Sequence, residues 1–294
     1  MVRSAARLGD FGFVRPGFRS AMPIVLRRLV LAFLVSWIAA SGAHAETLLE
    51  NAYRQMYDLR FDEAHKALAE WTREHPEDPL GPVSDAAAYL YAEFDRLHIL
   101  QSEFFLEDSN FLAREKLVPD AQVKQHFEEA LARSQQLSGP ILAKTPLDRN
   151  ALFAEVLRLG LQADYLALVE KKYLASLSDV KVGRGLAEKL LAVDPNYGDA
   201  YLAVGTENYL LSLRAAPVRW LLRMGGAETD KDRGVHDLMI TVEKGHYLPP
   251  YAKVLLAVAA GRDKNFARAR ELLESLVREF PHNPLYSQEL ARLH

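Results

Sequence analysis

Histidines and carboxylates are the side chains through which this chain could bind a metal or catalyse hydrolysis, and their spacing favours neither. None of the nine histidines stands in an H-E-x-x-H pattern or pairs at ligand spacing beside an acidic cluster. These histidines are expected on helix surfaces or in partly buried packing: His65, His98, His126 and His236. No cysteine and no G-x-S-x-G pattern is present. The sequence therefore predicts no metal site and a protein that is not an enzyme.

Two short segments could bind phosphate or calcium, but each lacks most of the required residues. Gly183 and Gly185 lack the preceding strand and the further glycines of a dinucleotide fingerprint, so close helix packing is their expected role. Asp230 and Asp232, which precede Gly234, lack the other ligands and the distal Glu of a calcium loop. Neither segment predicts a cofactor.

A spacing of apolar and small residues recurs along the chain and predicts the helices that carry these groups. Phe61, Ala64, Leu68, Trp71 and Pro76 follow one another at offsets of 3, 4, 3 and 5. The same offsets recur at Phe266, Ala269, Leu273, Leu276 and Pro281, and at Val180, Gly183, Ala187, Leu190 and Pro195. Offsets of 3 and 4 place side chains on one face of a helix, and proline ends that helix. The small residue lets the preceding helix approach closely.

The segment after the third copy, DPNYGDAYLAVG at 194–205, predicts the start of another helix. Asp199 lies near this start, where an acid complements the helix dipole. Gly205 would be unfavourable inside the helix unless the backbone of a neighbour has to come close.

This segment, with the RFDEA and NFARA helix entries, resembles tetratricopeptide-repeat (TPR) proteins. The resemblance implies an all-α fold, an α-solenoid of about five antiparallel helix hairpins. The expected hairpins span residues 47–76, 84–137, 148–195, 198–246 and 249–281, followed by a capping helix at 284–294. Two insertions interrupt the pattern, at 107–120 and 214–230.

In TPR proteins the first helices of the hairpins line a concave groove that holds a peptide or a helix. Carried over to the matching hairpins, the expected groove residues are Leu49, Tyr53, Tyr57, Leu202, Thr206, Tyr209, Tyr251 and Val254. A register error of one residue rotates a side chain by about 100°, so several of them could instead belong to the core. The Lys, Arg and Asn of a carboxylate clamp are absent from these positions, which disfavours capture of a C-terminal carboxylate.

The N-terminal segment has the three parts of a cleavable signal peptide. Arginines at 27–28 precede twelve largely apolar residues, and Ala43 and Ala45 form a small-residue cleavage site before Glu46. Met22 is an alternative start. Twelve residues are short for a hydrocarbon core of about 30 Å, so a signal anchor retained in the inner membrane is the alternative. The predicted division is residues 1–45 as extension and signal, and 46–294 as an exported, periplasmic or secreted helical domain.

The net charge of the chain limits the kinds of binding partner that can be expected. Cleavage after Ala45 would remove six of the 36 basic residues and one of the 39 acidic residues, which leaves a net charge of −8. Nucleic acid requires a basic surface, so it is not an expected partner. The second insertion has basic and apolar residues that could contact a membrane, although packing over the solenoid is the simpler reading. The residues concerned are Arg214, Arg219, Trp220, Leu221 and Arg223.

These observations predict an exported, non-enzymatic adaptor or scaffold that binds a protein segment in its groove. The alternative is a carrier of an apolar small molecule or lipid, held between the third hairpin and the insertion around Trp220. The sequence identifies neither the partner nor the oligomeric state.

Overall fold

The computed structural model describes residues 47–99, 117–212 and 230–293, and every regular element in these ranges is helical. The eleven α-helices of the described ranges are α1 Leu48–Tyr57, α2 Phe61–Glu74, α3 Leu80–Arg96, α4 Ala121–Lys144, α5 Arg149–Asp164, α6 Tyr173–Val193, α7 Ala200–Ser212, α8 Lys231–Lys244, α9 Pro249–Arg262, α10 Phe266–Glu279 and α11 Pro284–Arg292. A π-helical turn, Tyr165–Val169, continues α5. The helices belong to one compact unit, Glu46–His294. The expectation of an all-α protein is confirmed for these residues.

Local sequence accounts for where the helices begin and end. Thr47 and Glu50 form a capping box at the start of α1, and an aspartate side chain accepts backbone N–H groups at the start of α4, α5 and α8. The prolines of the repeated spacing follow the ends of α2, α6 and α10 by two residues: Pro76, Pro195 and Pro281. Because proline lacks an N–H and restricts the residue before it, it prevents each helix from continuing.

Each helix packs against the next one along the chain, from α1 on α2 to α10 on α11. Further contacts join α1 to α3, α3 to α5 and α5 to α7. The small residues of the repeated spacing lie in these contacts, since Ala64, Gly183 and Ala269 are buried. The odd-numbered helices from α1 to α7 therefore share a side of the molecule, on which their side chains can meet.

Two glycines bring α7 and α8 into backbone contact. A Cβ on Gly205 would lie 2.9 Å from the carbonyl oxygen of Gly234, and a Cβ on Gly234 would lie 2.7 Å from the backbone nitrogen of Tyr209. The expected close approach at Gly205 is confirmed. Gly183 also faces a neighbour, with its Cβ position 3.4 Å from Leu159 Cβ, whereas Gly185 has no such atom within 4 Å. Close packing as the reason for Gly185 was therefore wrong.

Asp199 is the centre of a junction between the fourth and fifth helix pairs. Its carboxylate accepts the backbone N–H groups of His246, Tyr247 and Leu248 at 2.8–3.0 Å. These groups directly precede α9, whose first two residues are prolines and have no N–H. We predicted that Asp199 would serve the helix that follows it in sequence, but its side-chain hydrogen bonds are made at the start of a different helix.

Gly198 allows this junction to form. A side chain there would overlap the backbone of Lys244 and Gly245, and the Gly198 carbonyl accepts a hydrogen bond from Thr241 Oγ1 at 3.1 Å. The beginning of α7 thus lies directly on the end of α8, which places Asp199 within reach of residues 246–248.

Residues from the beginning and the end of the described chain lie together. The carboxylate of Asp58 accepts the backbone N–H of His282 at 2.9 Å, and Asn283 Nδ2 donates to the carbonyl of Tyr57 at 2.8 Å. The rings of Tyr57 and Phe280 also pack, with centroids 5.7 Å apart. The first helix pair therefore packs against residues that follow the fifth.

Several predictions concern residues outside the described ranges: the signal segment 1–45, nearly all of the two insertions, and with them Arg214, Arg219, Trp220, Leu221 and Arg223. Within 47–99, 117–212 and 230–293, no helix combines the length and apolar character needed to cross a membrane.

Candidate functional site

The residues expected to line a groove fall into two groups. Four are buried, with exposed fractions of 1% for Leu49, 3% for Tyr53, 7% for Tyr57 and 3% for Tyr209. The other four are half-buried: Leu202, Thr206, Tyr251 and Val254. Leu202, Tyr251 and Val254 pack against the hydrophobic core. The half-buried residues belong to α7 and α9, so solvent reaches the expected groove residues at those two helices.

Aromatic rings from three helices and one loop meet on the inner side. We name Tyr53, Tyr57, Tyr91, Tyr247 and Tyr251 the central tyrosine cluster. Ring centroids are 5.2 Å apart between Tyr53 and Tyr247, 6.1 Å between Tyr57 and Tyr91, and 6.3 Å between Tyr91 and Tyr251. Burial raises the pKa of all five hydroxyls, so they remain neutral donors at physiological pH.

Sequence reasoning missed two members of the central tyrosine cluster. Tyr91 lies in the apolar segment AAAYLYAEF, where the repeated spacing is weak, and Tyr247 lies in the loop before α9. The only available signal was the density of tyrosines near residues 89–91 and 247–251. Spacing within one helix cannot indicate which rings meet across helices.

Asp164, at the end of α5, adds a carboxyl group to the central tyrosine cluster. The Tyr251 hydroxyl donates to Asp164 Oδ2 at 3.5 Å, which is a long and weak hydrogen bond. Removal from bulk water raises the pKa of Asp164 to about 7, and the Tyr251 hydrogen bond only partly opposes the rise. Asp164 is half-buried. It is therefore a group whose charge changes near neutral pH beside tyrosine rings.

Asp164→Asn is expected to stabilise the protein more at pH 8 than at pH 5. An unfolded aspartate titrates near 3.9, so the folded state binds the proton more tightly and loses stability as pH rises from about 4 to 7. The amide resembles the protonated acid and avoids this loss. Allowing for partial solvent access, the advantage of the variant should grow by about 2 kcal/mol between pH 5 and pH 8. Urea unfolding of both proteins at the two pH values measures it.

Glu243→Gln is the matched control, because Glu243 is an exposed carboxylate on α8. Its effect on the free energy of unfolding should differ little between the two pH values. An Asp164→Asn effect that is equally independent of pH would contradict the raised pKa of Asp164.

A second concave region lies where α4, α5 and the π-helical turn meet. It is a cavity of about 360 Å³. Its apolar wall is formed by Phe127, Leu131, Tyr165 and Leu166, and its polar wall includes Lys124, Arg158, Glu170 and Lys172. The rings of Phe127 and Tyr165 stack at 5.2 Å. We name this region the α4–α5 cavity.

The charges of the α4–α5 cavity are arranged around Glu170. Lys124 Nζ lies 2.7 Å and Lys172 Nζ lies 2.6 Å from its carboxylate oxygens. These two hydrogen bonds, first that of Lys124, hold the pKa of Glu170 below its usual value. Lys124 Nζ also lies 5.5 Å from the centroid of the Tyr165 ring. Sequence reasoning did not find this site, because its residues belong to the segment where the repeat resemblance is weakest.

The histidines take part in packing and hydrogen bonds. His65 Nδ1 lies 2.6 Å from Asp85 Oδ1, and its ring lies 4.2 Å from that of Tyr89. His126 also packs against Tyr89, with ring centroids 5.2 Å apart. In the part of the chain that the structure describes, no three histidine or carboxylate side chains converge as metal ligands would.

Two comparisons with known proteins add no relative to these observations. The chain matches no protein-family model, and no curated protein matches it significantly.

Proposed function

We propose that the chain is a TPR-like α-solenoid that acts as a non-enzymatic binding adaptor. Support comes from the order of contacts, in which each helix packs on the next and α1, α3, α5 and α7 also contact in succession. Small residues at the helix contacts and prolines after α2, α6 and α10 agree with such repeats. Repeat proteins of this kind use the side that their first helices share for binding.

The half-buried side chains of α7 and α9 are the observation that carries this proposal. Leu202, Thr206, Tyr251 and Val254 remain partly open to solvent, whereas Leu49, Tyr53, Tyr57 and Tyr209 are closed. Tyrosine provides a large contact area and a polar hydroxyl at a low cost in conformational entropy, which suits a binding anchor. An extended protein segment along α7 and α9 is therefore the proposed occupant, with Tyr251 as its aromatic anchor.

Site-specific photo-crosslinking tests the adaptor. A benzophenone amino acid at Leu202 or Tyr251 should crosslink one and the same polypeptide in the compartment where the protein resides. The same group at Glu243, an exposed position on α8, is the control and should not crosslink it. Crosslinking from Glu243 alone, or from none of the three positions, would rule out this surface.

Export is the second part of the proposal. The arginines at 27–28, the apolar run and the A-x-A sequence before Glu46 support cleavage by signal peptidase, with a periplasmic or secreted product. Mass spectrometry of the mature protein should then find Glu46 as its first residue. A product that keeps residues 22–45 and sediments with membranes would support the signal anchor instead.

A carrier of an apolar small molecule or lipid is the second candidate function. The α4–α5 cavity favours it, because about 360 Å³ bounded partly by apolar side chains lies beside the third helix pair. Cavities of roughly 300–1,000 Å³ hold small organic ligands.

A further inference from the structure

We infer that the outward side of α6 is a contact surface between two copies of this chain, which pair with their α6 helices antiparallel. The inference goes beyond the adaptor and carrier proposals and depends on neither. Three observations on the described residues carry it: apolar side chains exposed on one helix, charged side chains placed so that the surface complements itself, and a helical glycine without a close neighbour in its own chain.

Large apolar side chains are concentrated on the exposed side of α6. Exposed fractions are 86% for Leu174, 43% for Leu177, 53% for Val182 and 45% for Val193, so this helix carries four of the eight large hydrophobic residues exposed in the described part of the chain. We name the side on which these four residues lie the α6 outer face. Single exposed leucines are ordinary, but several on one helix indicate a surface that another molecule covers.

The opposite side of α6 fixes how the helix is turned. Gly183, Ala187 and Leu190 are buried, and α6 packs on α5, on α7 and on the π-helical turn. α2 has the same repeated spacing, but its exposed residues are mostly charged: Asp62, Lys66, Ala69, Glu70, Arg73 and Glu74. The apolar character of the α6 outer face therefore belongs to this helix and is not required by the repeat.

Charged residues on one edge of the α6 outer face favour an antiparallel partner helix. Lys181 and Glu188 are seven residues apart, so they lie on the same edge of the helix. A two-fold axis level with residues 184–185 places Lys181 of each copy beside Glu188 of the other. Lys181 has no ion pair within the described ranges, and Glu188, which accepts from Arg184 at 2.8 Å, remains half exposed. Both groups can therefore contact a second copy.

The other edge of the face complements itself about the same axis. Lys189 of one copy comes level with Asp179 of the other, on the edge opposite to Lys181 and Glu188. A parallel pair in register could join only Glu188 to Lys189, and it would leave Lys181 beside Val182. The antiparallel pair gives each of the four charged residues a partner, so the charge pattern fits a second copy of this chain.

Gly185 lies in the middle of the face, next to the proposed two-fold axis. Apart from the adjacent backbone of α6, no atom of its own chain lies within 4 Å of its Cβ position. Glycine is unfavourable inside a helix, but it lets a second backbone come close. Pairing of two α6 helices thus accounts for a glycine that the fold of one chain does not explain.

The size of the face predicts a weak dimer. α6 has 21 residues, so it is about 30 Å long and about 10 Å wide. A contact between two such faces lies at the small end of specific interfaces, below about 1,200 Å² in total. We expect a dissociation constant of roughly 10–100 µM.

Sedimentation equilibrium at low salt tests the inference. The purified protein should be a monomer near 1 µM and mostly a dimer near 300 µM. Lys181→Glu should weaken dimerisation about tenfold or more, because each dimer loses two attractions and gains two repulsions. Glu188→Lys should have the same effect. An equimolar mixture of these two variants should associate about as tightly as the parent, since opposite charges face each other again in the heterodimer.

Three further variants control the sedimentation measurements. Leu174→Glu should prevent dimerisation, whereas Val118→Glu, at a similarly exposed aliphatic residue before α4, should leave it unchanged. Glu243→Lys, at an exposed position on α8, is the control for a reversed charge. Since all the substituted side chains are at least half exposed, the melting temperatures should stay close to that of the parent.

Cysteine substitutions test the antiparallel arrangement, because the chain contains no cysteine of its own. Under mild oxidation Gly185→Cys should form a disulfide between copies, since the two residues lie beside the two-fold axis. Leu174→Cys should not, because the two copies of residue 174 would be about 30 Å apart. Disulfides at both positions would indicate parallel helices and overturn the arrangement.

Two results would overturn the inference as a whole: a protein that remains monomeric near 300 µM, and a dimer that none of the α6 substitutions weakens. Binding of the monomer to phosphatidylglycerol vesicles, lost in Leu174→Glu, would assign the α6 outer face to a membrane instead. None of these results would affect the crosslinking test at Leu202 and Tyr251, which lie on α7 and α9.

Discussion

Asp199→Ala is expected to lower the free energy of unfolding by about 4 kcal/mol, one of the two largest effects that we predict. The substitution leaves the N–H groups of His246, Tyr247 and Leu248 without an acceptor at a position where Asp199 is only 1% exposed. A single buried donor left unsatisfied is unfavourable by about 1–3 kcal/mol, and three in one loop add to each other in part. Chemical denaturation of the two proteins at neutral pH measures the loss.

Asp230→Ala is the matched control for Asp199. Asp230 also accepts two backbone N–H groups, those of Asp232 and Arg233, but it is an exposed cap at the start of α8. Water can replace this acceptor, so its loss should destabilise the protein by only about 1 kcal/mol. A similar effect of both alanine substitutions would show that the junction at Asp199 is open to solvent.

Asp199→Asn distinguishes hydrogen bonding from packing at the junction. The amide oxygen can still accept from Tyr247 and Leu248, which both bond to Oδ1 of the aspartate, but the amide nitrogen then faces the N–H of His246. We expect a loss of roughly half that of the alanine variant, since two of three acceptor contacts survive. Equal losses for Asn and Ala would contradict the assigned hydrogen bonds.

Gly234→Ala is the second substitution with a large expected effect. The added methyl group would lie 2.7 Å from the backbone nitrogen of Tyr209 and 2.9 Å from the Gly205 carbonyl oxygen, and backbone atoms of a packed helix cannot move aside. Forcing α7 and α8 apart should lower the free energy of unfolding by about 3 kcal/mol, despite the better helix propensity of alanine. The shift of the melting temperature and of the denaturation midpoint measures it.

Gly185→Ala provides the control for Gly234→Ala within the same fold. Gly185 is also helical, in α6, but apart from the adjacent backbone of its own helix no atom lies within 4 Å of its Cβ position. Alanine there should leave the stability unchanged or raise it by up to about 1 kcal/mol through helix propensity alone. If both variants behaved alike, close contact between α7 and α8 would no longer explain the glycine at 234.

Local sequence patterns were sufficient to predict the all-helical fold and the main helix ends. Proline at 76, 195 and 281 and the small residues at 64, 183 and 269 act within one turn or one helix contact, so their effects can be predicted from spacing. The close neighbour expected at Gly205 is present, but the same inference was wrong for Gly185, so a glycine inside a helix does not by itself indicate a close contact. The prolines and the small residues recur at the same spacing in each copy of the pattern, which is why they could be recognised in the sequence.

Contacts between distant segments could not be predicted in this way. Asp199 lies close in sequence to the start of α7, yet its hydrogen bonds are formed 47–49 residues further along the chain. Which of the expected groove residues are buried and which are half-buried depends on how neighbouring helices pack. The ring contacts of the central tyrosine cluster are an example. The α4–α5 cavity requires the π-helical turn, for which the sequence carries no recognisable signal.

The contact between residues 57–58 and 280–283 also affects how the protein can be made. During synthesis the ribosome adds roughly 5–20 residues per second, and the bonded partners Asp58 and His282 are 224 residues apart. The first helix pair therefore exists for roughly 10–45 s before its partner residues have been translated. Throughout that interval Asp58 lacks its hydrogen bonds to His282, and Tyr57 lacks its contacts with Phe280 and Asn283, so this end of the first pair stays open until the chain is nearly complete.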